Sequence, residues 1–250
     1  MRLPTMRPMR ALLVLPTYQE ALNLVEVLDR VRQATPDTQV LVVDDGSPDG
    51  TADLAETHGA VVGGVDVLRR PEKSGLGSAY RDGFRWGLER GFDVLLEMDS
   101  DLSHDPAALP SLLGAIEHGA DLVIGSRYVP GGSIPAWSWH RRLLSRWGNR
   151  YAAGVLGLAV NDSTAGYRAY RATILRRIDL DEVGAEGYGF QIEMTYEVVR
   201  RGGAVVEVPI AFADRLRGTS KMSSRIVVEA LVLVTWWGLR DRLLRRRRID

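Results

Sequence analysis

Short apolar runs alternate with helical patterns through the first 100 residues, and this alternation constrains the fold more than any other feature. The runs at 11–15, 39–43, 65–68 and 94–98 are typical of buried strands. Between them, apolar residues recur at helical spacing, most clearly at 23–32. Strands that alternate with helices predict an α/β fold, with a parallel sheet and helices on both of its faces.

Acidic residues follow two of these predicted strands. Asp44 and Asp45 come at the end of the second run, and Asp99 and Asp101 at the end of the fourth. Ligands of open α/β sheets bind outside the carboxyl ends of the strands, so we expect both turns to lie at one site, together with residues 16–20. Asp44 or Asp45 could accept hydrogen bonds from a nucleoside there, and a solvated turn is the alternative.

The spacing of Asp99 and Asp101 indicates a metal site. In an extended chain, residues i and i+2 point the same way, so both carboxylates would face one side. Two negative charges at such a short separation repel each other. A hard divalent ion such as Mg²⁺ offsets this repulsion and joins the carboxylates to substrate phosphates. The alternative is an exposed turn before a helix that begins at Asp105 and Pro106.

Arg127, Arg215 and Lys221 are isolated basic residues set among glycines. The fork of an Arg side chain suits phosphate oxygens, and a surface cation is the alternative for each position. A metal combined with several such cations suggests a nucleoside diphosphate donor. The pair Gly75 and Gly77 is not a dinucleotide-binding fingerprint, because the third glycine and the correct spacing are missing.

Composition narrows the function classes. The chain has 250 residues, enough for one large domain or two small ones. Its formal net charge of zero gives no global field for nucleic acid, and the lack of Cys excludes disulfides, thiolate zinc sites and Cys nucleophiles. No run reaches the roughly 20 apolar residues of a membrane span. We expect residues 1–9 to be disordered rather than a signal peptide.

The second half is less regular. We predict a strand at 121–124, a helix at 137–158, a turn or short strand at 165–170, a helix at 190–201 and an edge strand at 204–209. An apolar segment at 226–239 follows and leads into the arginine-rich stretch 240–248. Its pair Trp236 and Trp237 and the arginines favour a helix in the plane of a membrane surface. The alternative is a core helix packed on the domain.

Nine motifs then identify a family. They are Pro16-Thr17-Tyr18-x-Glu20, the acidic turn Val43 to Thr51, Lys73-x-Gly75-Leu76-Gly77-x-Ala79-Tyr80, Met98-Asp99-x-Asp101-Leu102-Ser103-His104, Gly125-Ser126-Arg127-Tyr128, Thr164-x-Gly166-x-Arg168, Gly187-Tyr188-x-Phe190-Gln191-x-Glu193, Glu207-Val208-Pro209-Ile210 and Arg215-x-x-Gly218-x-Ser220-Lys221. In this order they resemble the polyprenol-phosphate mannose synthases, also called dolichol-phosphate mannose synthases. The resemblance covers about residues 10–225. It implies an inverting family-two glycosyltransferase of GT-A fold.

The resemblance implies a role for each matching position. The guanosine end of GDP-mannose would be held by Pro16, Tyr18, Glu20, Val43 and Asp45. Asp99 and Asp101 would manage Mg²⁺ or Mn²⁺ and the diphosphate, with Ser100 lining the site. The donor or acceptor phosphates would be contacted by Arg127, Arg215 and Lys221. Ser103 stands where some relatives have Gln, and a water would bridge its shorter side chain to the metal.

The implied reaction is a direct displacement that transfers mannose to a polyprenyl monophosphate, with Asp99, Asp101 and Arg127 as the catalytic residues. A phosphate monoester is largely dianionic at neutral pH, so the acceptor needs no carboxylate base. Transfer of glucose or another sugar, to polyprenyl phosphate or to a glycan hydroxyl, is the runner-up. A decayed sugar-nucleotide-binding scaffold is the non-enzyme alternative. A nucleotidyltransferase is disfavoured, because residues 16–20 are acidic and free of glycine.

The resemblance also implies the domain organisation. Residues 10–222 would form the GT-A domain and residues 223–250 an apolar and basic C-terminal helix. Some relatives append transmembrane helices, and this chain resembles the type without them. We expect the enzyme to lie on the cytoplasmic face of a membrane, docked by the C-terminal helix or by a membrane-anchoring partner protein.

Overall fold

The computed structural model describes residues 8–213 and 224–246. They contain a seven-stranded sheet in the order β3-β2-β1-β4-β6-β5-β7. The strands are β1 (Ala11–Thr17), β2 (Gln39–Asp44), β3 (Val65–Arg69), β4 (Val94–Glu97), β5 (Leu122–Ser126), β6 (Arg168–Arg171) and β7 (Val205–Pro209). The helices are α1 (Ala21–Ala34), α2 (Thr51–Val62), α3 (Leu76–Glu89), α4 (Leu109–Glu117), α5 (Trp139–Leu156), α6 (Ala172–Leu175), α7 (Gly187–Arg200) and α8 (Ser224–Arg246). A short 3₁₀ helix, Pro106–Ala108, precedes α4.

The period-two alternation of the strands separates two cores. Along β1, Leu12 and Val14 pack in one core with aromatic residues of α3 and α7. Leu13 and Leu15 pack in the other core with apolar residues of α1 and α4. Successive side chains of a strand point to opposite faces, so helices are needed on both sides of the sheet. The predicted mostly parallel α/β sheet is therefore confirmed.

β6 is the antiparallel strand in this sheet. It lies between β4 and β5 and pairs antiparallel with both, where the sequence predicted a turn or a short strand. This pairing places Arg168 directly opposite Glu97, the last residue of β4. The end of β4 therefore has a buried cation beside it, immediately before the acidic turn that contains Asp99 and Asp101.

Two details of the acidic turn differ from prediction. β4 ends at Glu97 rather than Met98, so Asp99 and Asp101 lie in the turn beyond the strand and not in an extended segment. Both residues belong to this turn, in which Leu102 has a left-handed backbone with φ of +65°. A branched residue in that conformation is strained and persists where its surroundings fix it. The short 3₁₀ helix and α4 follow this loop, so the helix that the alternative placed at Asp105 and Pro106 is present.

The C-terminal helix has a buried face and an exposed face. Ala230, Val234 and Trp237 of α8 are buried in the core that contains α7, whereas Val232 and Trp236 are exposed. α8 thus combines features of both predicted alternatives, a core helix and a surface helix. Among the described residues, no helix is both long and apolar enough to cross a membrane. The predicted boundary at 222 lies outside the described residues, as do residues 1–7 of the stretch 1–9 that was predicted to be disordered.

Candidate active site

A cavity of about 680 Å³ opens at the carboxyl ends of β1, β2 and β4. Nine of the predicted site residues line it: Pro16, Tyr18, Glu20, Asp45, Asp99, Ser100, Asp101, Ser103 and Arg127. The side chain of Val43 is fully buried in the core instead, so only its backbone could contact a nucleotide. Arg215 and Lys221 lie outside the described residues. The sheet therefore gathers most of the predicted site at one edge.

Hydrogen bonds hold the acidic turn in place. The Ser100 hydroxyl donates to the carbonyl of Pro16 at 3.0 Å and ties the turn to the end of β1. The Ser103 amide donates to Oδ1 of Asp101 at 3.0 Å. The Asp99 amide donates to Nδ1 of His104 at 3.2 Å. Burial is the largest effect on His104 and lowers its pKa to about 4. A neutral His104 therefore accepts from the turn without adding a cation to it.

The turn fits a divalent cation that a ligand helps to hold. Asp101 is buried and Asp99 is partly exposed. Both residues line the cavity. The hydroxyl of Ser103 is buried and has no hydrogen-bond partner among the described residues. Within those residues, no cluster of three or more His, Asp or Glu side chains could hold a metal alone. Two carboxylates completed by phosphate oxygens form an ordinary Mg²⁺ site.

Glu97 and Arg168 lie beneath the acidic turn, and both are fully buried. Arg168 donates to the backbone carbonyls of Ser163, Ala165 and Gln191, which fixes the loop before β6 onto α7. Burial raises the pKa of Glu97 to about 7, although Arg168, Gln191 and Tyr170 act in the opposite direction. A buried polar layer therefore underlies the acidic turn.

Asp45 and Arg70 lie together on the side of the cavity where the nucleoside is predicted to bind. The guanidinium of Arg70 lies 2.9 Å from Oδ1 of Asp45 without the alignment of a hydrogen bond, and the Ser74 amide donates to Oδ2 at 3.3 Å. Burial raises the pKa of Asp45, and Arg70 is the largest influence that lowers it. Lys73 lies 4.4 Å from the ring centre of Tyr18 on the same wall.

Asp44, the other predicted nucleoside contact, has a structural role. It accepts hydrogen bonds from the Thr17 hydroxyl at 2.9 Å and from the backbone amide and hydroxyl of Ser47 at 2.8 and 2.6 Å. These bonds join the turn after β2 to the end of β1. Asp45 is therefore the residue of the pair that lines the cavity.

Arg127 is held by Asp162 rather than presented freely to a phosphate. Its Nε and Nη2 donate to the two carboxylate oxygens at 2.7 and 2.6 Å, and Nη2 also donates to Thr164 at 2.9 Å. Burial lowers the pKa of Arg127, but Asp162 raises it by more, so the guanidinium stays charged. A phosphate contact by Arg127 remains a prediction, and it would have to use the edge of the guanidinium that Asp162 does not cover.

Glu186 explains the glycines at residues 75 and 77. Its carboxylate accepts from the amides of Gly77 at 2.7 Å and Ser78 at 3.1 Å, at the N-terminus of α3. A Cβ on Gly75 would lie 2.5 Å from this carboxylate. The helix N-terminus therefore binds an internal anion, which agrees with the absence of a dinucleotide fingerprint.

Several residues of the cavity wall had no predicted role. Lys73, Gly166, Tyr188 and Gln191 belong to the motifs shared with the polyprenol-phosphate mannose synthases, and these motifs were the signal that could have identified them. Arg141 lies at the start of α5, 3.8 Å over the ring of Trp137. Trp137, Phe212 and Glu229 also line the cavity, and no motif marks them, because they come from a loop, a β-bridge and α8 that fold over it.

An apolar groove joins the cavity. Residues of α5, α7 and α8 line it, among them Leu144, Trp147, Ile192 and Val234. Trp137, Arg141, Thr164 and Tyr188 line both the groove and the cavity. A ligand with a charged end and a hydrocarbon end could therefore occupy both spaces at once.

Comparison with known proteins assigns the family. The family model described as glycosyl transferase family 2 matches residues 12–179. The chain belongs to glycosyl transferase family 2. It is 56% identical over 234 residues to undecaprenyl-phosphate mannosyltransferase of Micrococcus luteus, covering 94% of this chain and 96% of that protein. It is 51% identical to polyprenol monophosphomannose synthase of Mycolicibacterium smegmatis, covering 97% and 92%. The predicted glycosyltransferase and the resemblance to polyprenol-phosphate mannose synthases are thereby confirmed.

Two solved glycosyltransferase structures support the fold. Glucosyl-3-phosphoglycerate synthase of Mycobacterium tuberculosis, in complex with Mn²⁺, UDP-glucose and phosphoglyceric acid, superimposes with a TM-score of 0.69 at 19% identity, covering 91% of this chain and 79% of that one. Mannosyl-3-phosphoglycerate synthase of Rubrobacter xylanophilus gives a TM-score of 0.66 at 20% identity, covering 96% and 75%. At this identity, the similarity establishes the shared GT-A architecture alone.

Proposed function

We propose that this family-2 glycosyltransferase transfers mannose from GDP-mannose to a polyprenyl monophosphate, with inversion at the anomeric carbon. The observation that carries the proposal is the junction of two spaces: a polar cavity that holds the Asp99 and Asp101 turn, and an apolar groove that opens from it. Of the two relatives above 50% identity, one is named an undecaprenyl-phosphate mannosyltransferase and the other a polyprenol monophosphomannose synthase. Both names support a polyprenyl phosphate acceptor here.

The donor would lie across the ends of β1, β2 and β4. Pro16, Tyr18, Glu20 and Asp45 would hold the guanosine, with the Val43 backbone beside it. The diphosphate would lie at the acidic turn, where Asp99, Asp101 and a bridged Ser103 would hold Mg²⁺ or Mn²⁺, with Ser100 lining the site. The phosphates would be contacted by the cationic side chains of Arg127, Arg215 and Lys221. The bound metal would supply charge neutralisation to the diphosphate leaving group.

The reaction needs little proton transfer. An acceptor phosphate oxygen would form the new bond to the anomeric carbon as the bond between that carbon and the GDP oxygen breaks, so the electron pair leaves with GDP. The second pKa of a phosphate monoester is about 6, so the nucleophile is already deprotonated at neutral pH. The task of the protein is to hold two anions in line, and preorganised cations such as Arg127 suit it.

The groove would receive the first isoprene units of the acceptor. Leu144, Trp147, Ile192 and Val234 offer an apolar wall, while Arg141 lies at the junction with the cavity, where the acceptor phosphate would lie. Burial of hydrocarbon contributes about 25 cal/mol per Å², so the chain would add affinity that a free phosphate lacks.

We also propose that α5 and α8 dock the enzyme on the cytoplasmic leaflet. On α5, Trp139, Leu143 and Trp147 are exposed, and four arginines lie along the same helix, at 141, 142, 146 and 150. On α8, Val232 and Trp236 are exposed. Exposed Trp and Arg side chains suit a lipid–water interface. The same apolar face could instead bind a membrane-spanning partner protein.

A direct transfer assay tests the proposal. Purified protein would be incubated with a short polyprenyl phosphate, Mg²⁺ or Mn²⁺, and either GDP-mannose, UDP-glucose or another nucleotide sugar. We expect a mannosyl lipid with inverted anomeric configuration from GDP-mannose, and little product from the other donors. Preferential transfer of another sugar would establish the runner-up function, and stoichiometric binding of a donor without turnover to any acceptor would favour the scaffold.

A further inference from the structure

Gln191 is a buried residue whose side-chain amide has at most one hydrogen-bond partner among the described residues. It lies on α7, lines the cavity and is 2% exposed. Neither its amide nitrogen nor its amide oxygen makes a hydrogen bond of ordinary geometry within the described residues, although the amide lies near enough to the Glu97 carboxylate to lower its pKa by hydrogen bonding. A primary amide offers two donors and two acceptor sites, and burial without partners is costly unless a ligand completes them.

The backbone around Gln191 is, by contrast, firmly held. Its carbonyl accepts from Nη1 of Arg168 at 2.8 Å and from the hydroxyl of Thr195 at 2.9 Å. Behind the side chain lies the fully buried carboxylate of Glu97, close enough for the Gln191 amide to influence it. The backbone position of Gln191 is therefore fixed by the protein. A carboxylate can only accept, so Glu97 can pair with the amide nitrogen alone, and the amide oxygen is left for a donor in the cavity.

Gly166 leaves an open space beside this amide. A Cβ built on Gly166 would lie 3.6 Å from Nε2 of Gln191 and 3.9 Å from Oδ1 of Asp99. Both distances are ordinary contacts, so the space is free of other atoms at that point. The amide and the first carboxylate of the acidic turn thus flank one place on the cavity floor. This deduction rests on the proposed function, in which Asp99 lies at the donor diphosphate.

The sugar is the donor group that follows the diphosphate, and its hydroxyls both donate and accept hydrogen bonds. We propose that Gln191 binds a ring hydroxyl of the transferred sugar in the space that Gly166 leaves open, and that it is a specificity-determining residue of this enzyme. A site built to pair with a hydroxyl rejects analogues that lack it, because the buried amide then stays unpaired. Gln191 would therefore discriminate between sugars and leave the nucleotide untouched.

The test compares binding of the nucleotide sugar with binding of the nucleotide alone. Gln191→Met removes the amide at similar volume, and Gly166→Ala places a methyl group in the open space. Calorimetric titration with GDP-mannose and with GDP, each with Mn²⁺, gives the contribution of the sugar. We expect either variant to weaken GDP-mannose binding by about tenfold or more and to change GDP binding less than twofold. Transfer rates for GDP-mannose should fall at least as far.

Two further measurements keep structural and functional roles apart. Gln191→Met also removes the amide beside the buried Glu97 carboxylate, so its melting temperature without ligand is measured too. The loss of GDP-mannose binding should exceed the loss of GDP binding whether or not that temperature falls. A GDP-mannose analogue that lacks the recognised hydroxyl should bind the variant and the unaltered protein alike. A lowered melting temperature together with unchanged sugar discrimination would overturn the inference. If the unaltered chain transferred no mannose, the proposed function would fail first, and the same titrations with its actual donor would still test Gln191.

Discussion

Arg127 and Asp162 form a buried, two-pronged ion pair, with donor–acceptor distances of 2.7 and 2.6 Å. The backbone amide of Arg127 also donates to Asp162 at 2.9 Å, and the Asp162 amide donates to Glu207 of β7 at 2.9 Å. This pair joins the end of β5 to the loop before β6 and shapes the wall of the cavity. The arginine that the sequence assigned to phosphate is thus also part of the framework.

The first prediction concerns this framework. Asp162→Asn should lower the free energy of unfolding by about 3–5 kcal/mol, because it leaves a buried guanidinium without its counter-ion. Denaturant unfolding of the purified variant measures the change. The matched control is Asp181→Asn, which removes the partner of Arg85 in an exposed pair and should cost less than about 1 kcal/mol. Equal effects of the two substitutions would contradict a structural role for the buried pair.

The second prediction concerns the acidic turn. Asp101→Ala should reduce transfer by at least about 100-fold, since the lost metal carboxylate is worth several kcal/mol in the transition state. Asp99→Ala should act in the same direction. Steady-state rates and Mn²⁺ titration in the presence of GDP measure both effects, and excess chelator should reproduce them in the unaltered protein. Asp105→Asn alters an exposed carboxylate of the same loop and should retain activity. Full activity in chelator would exclude the metal.

The third prediction concerns Arg70 beside Asp45. Arg70 is the largest influence that lowers the pKa of Asp45, so Arg70→Met should raise that pKa further. Asp45 would then bind a proton at a higher pH and lose its capacity to accept from the nucleoside. GDP binding by the variant should weaken by about tenfold and should weaken further as the pH falls. Arg69→Met is the control, because Arg69 is an exposed neighbour paired with Asp53 and Glu56.

The titrations for Arg70 would be run from neutral pH downwards on both variants and the unaltered protein. If Arg69→Met weakened GDP binding as much as Arg70→Met, the loss would be a general charge effect. If the affinity of Arg70→Met were independent of pH, the assignment of Asp45 to the nucleoside would be wrong.

The fourth prediction concerns the exposed apolar side chains of α5 and α8. Leu143→Ser combined with Trp236→Ser should reduce sedimentation with anionic liposomes several-fold and slow transfer to long-chain acceptors more than to short ones. Both side chains are exposed, so the fold should survive. By contrast, deletion from residue 226 would remove Trp237 and Val234 from the core. Val61→Ser replaces an exposed apolar residue of α2 and should leave liposome binding unchanged; an equal loss there would refute a specific docking face.

Much of the fold and part of the site could be predicted from the sequence, because local pattern encodes them. The alternation of apolar runs and helical patterns specified the α/β sheet, since strands need period-two burial and helices a 3.6-residue period. The acidic turns after the second and fourth strands had to meet, because the carboxyl ends of parallel strands lie at one edge. The ordered motifs then pointed to the family that the comparisons support.

The tertiary structure alone decided which side chains pair with each other. Asp162 is 35 positions from Arg127, Glu97 faces Arg168 across an antiparallel pair, and Gln191 lies beside the space at Gly166. No local period carries these contacts, because they depend on strand order and on the loops that close over the cavity. Whether a charged or polar side chain is paired inside the protein or left for a ligand is set by that long-range packing.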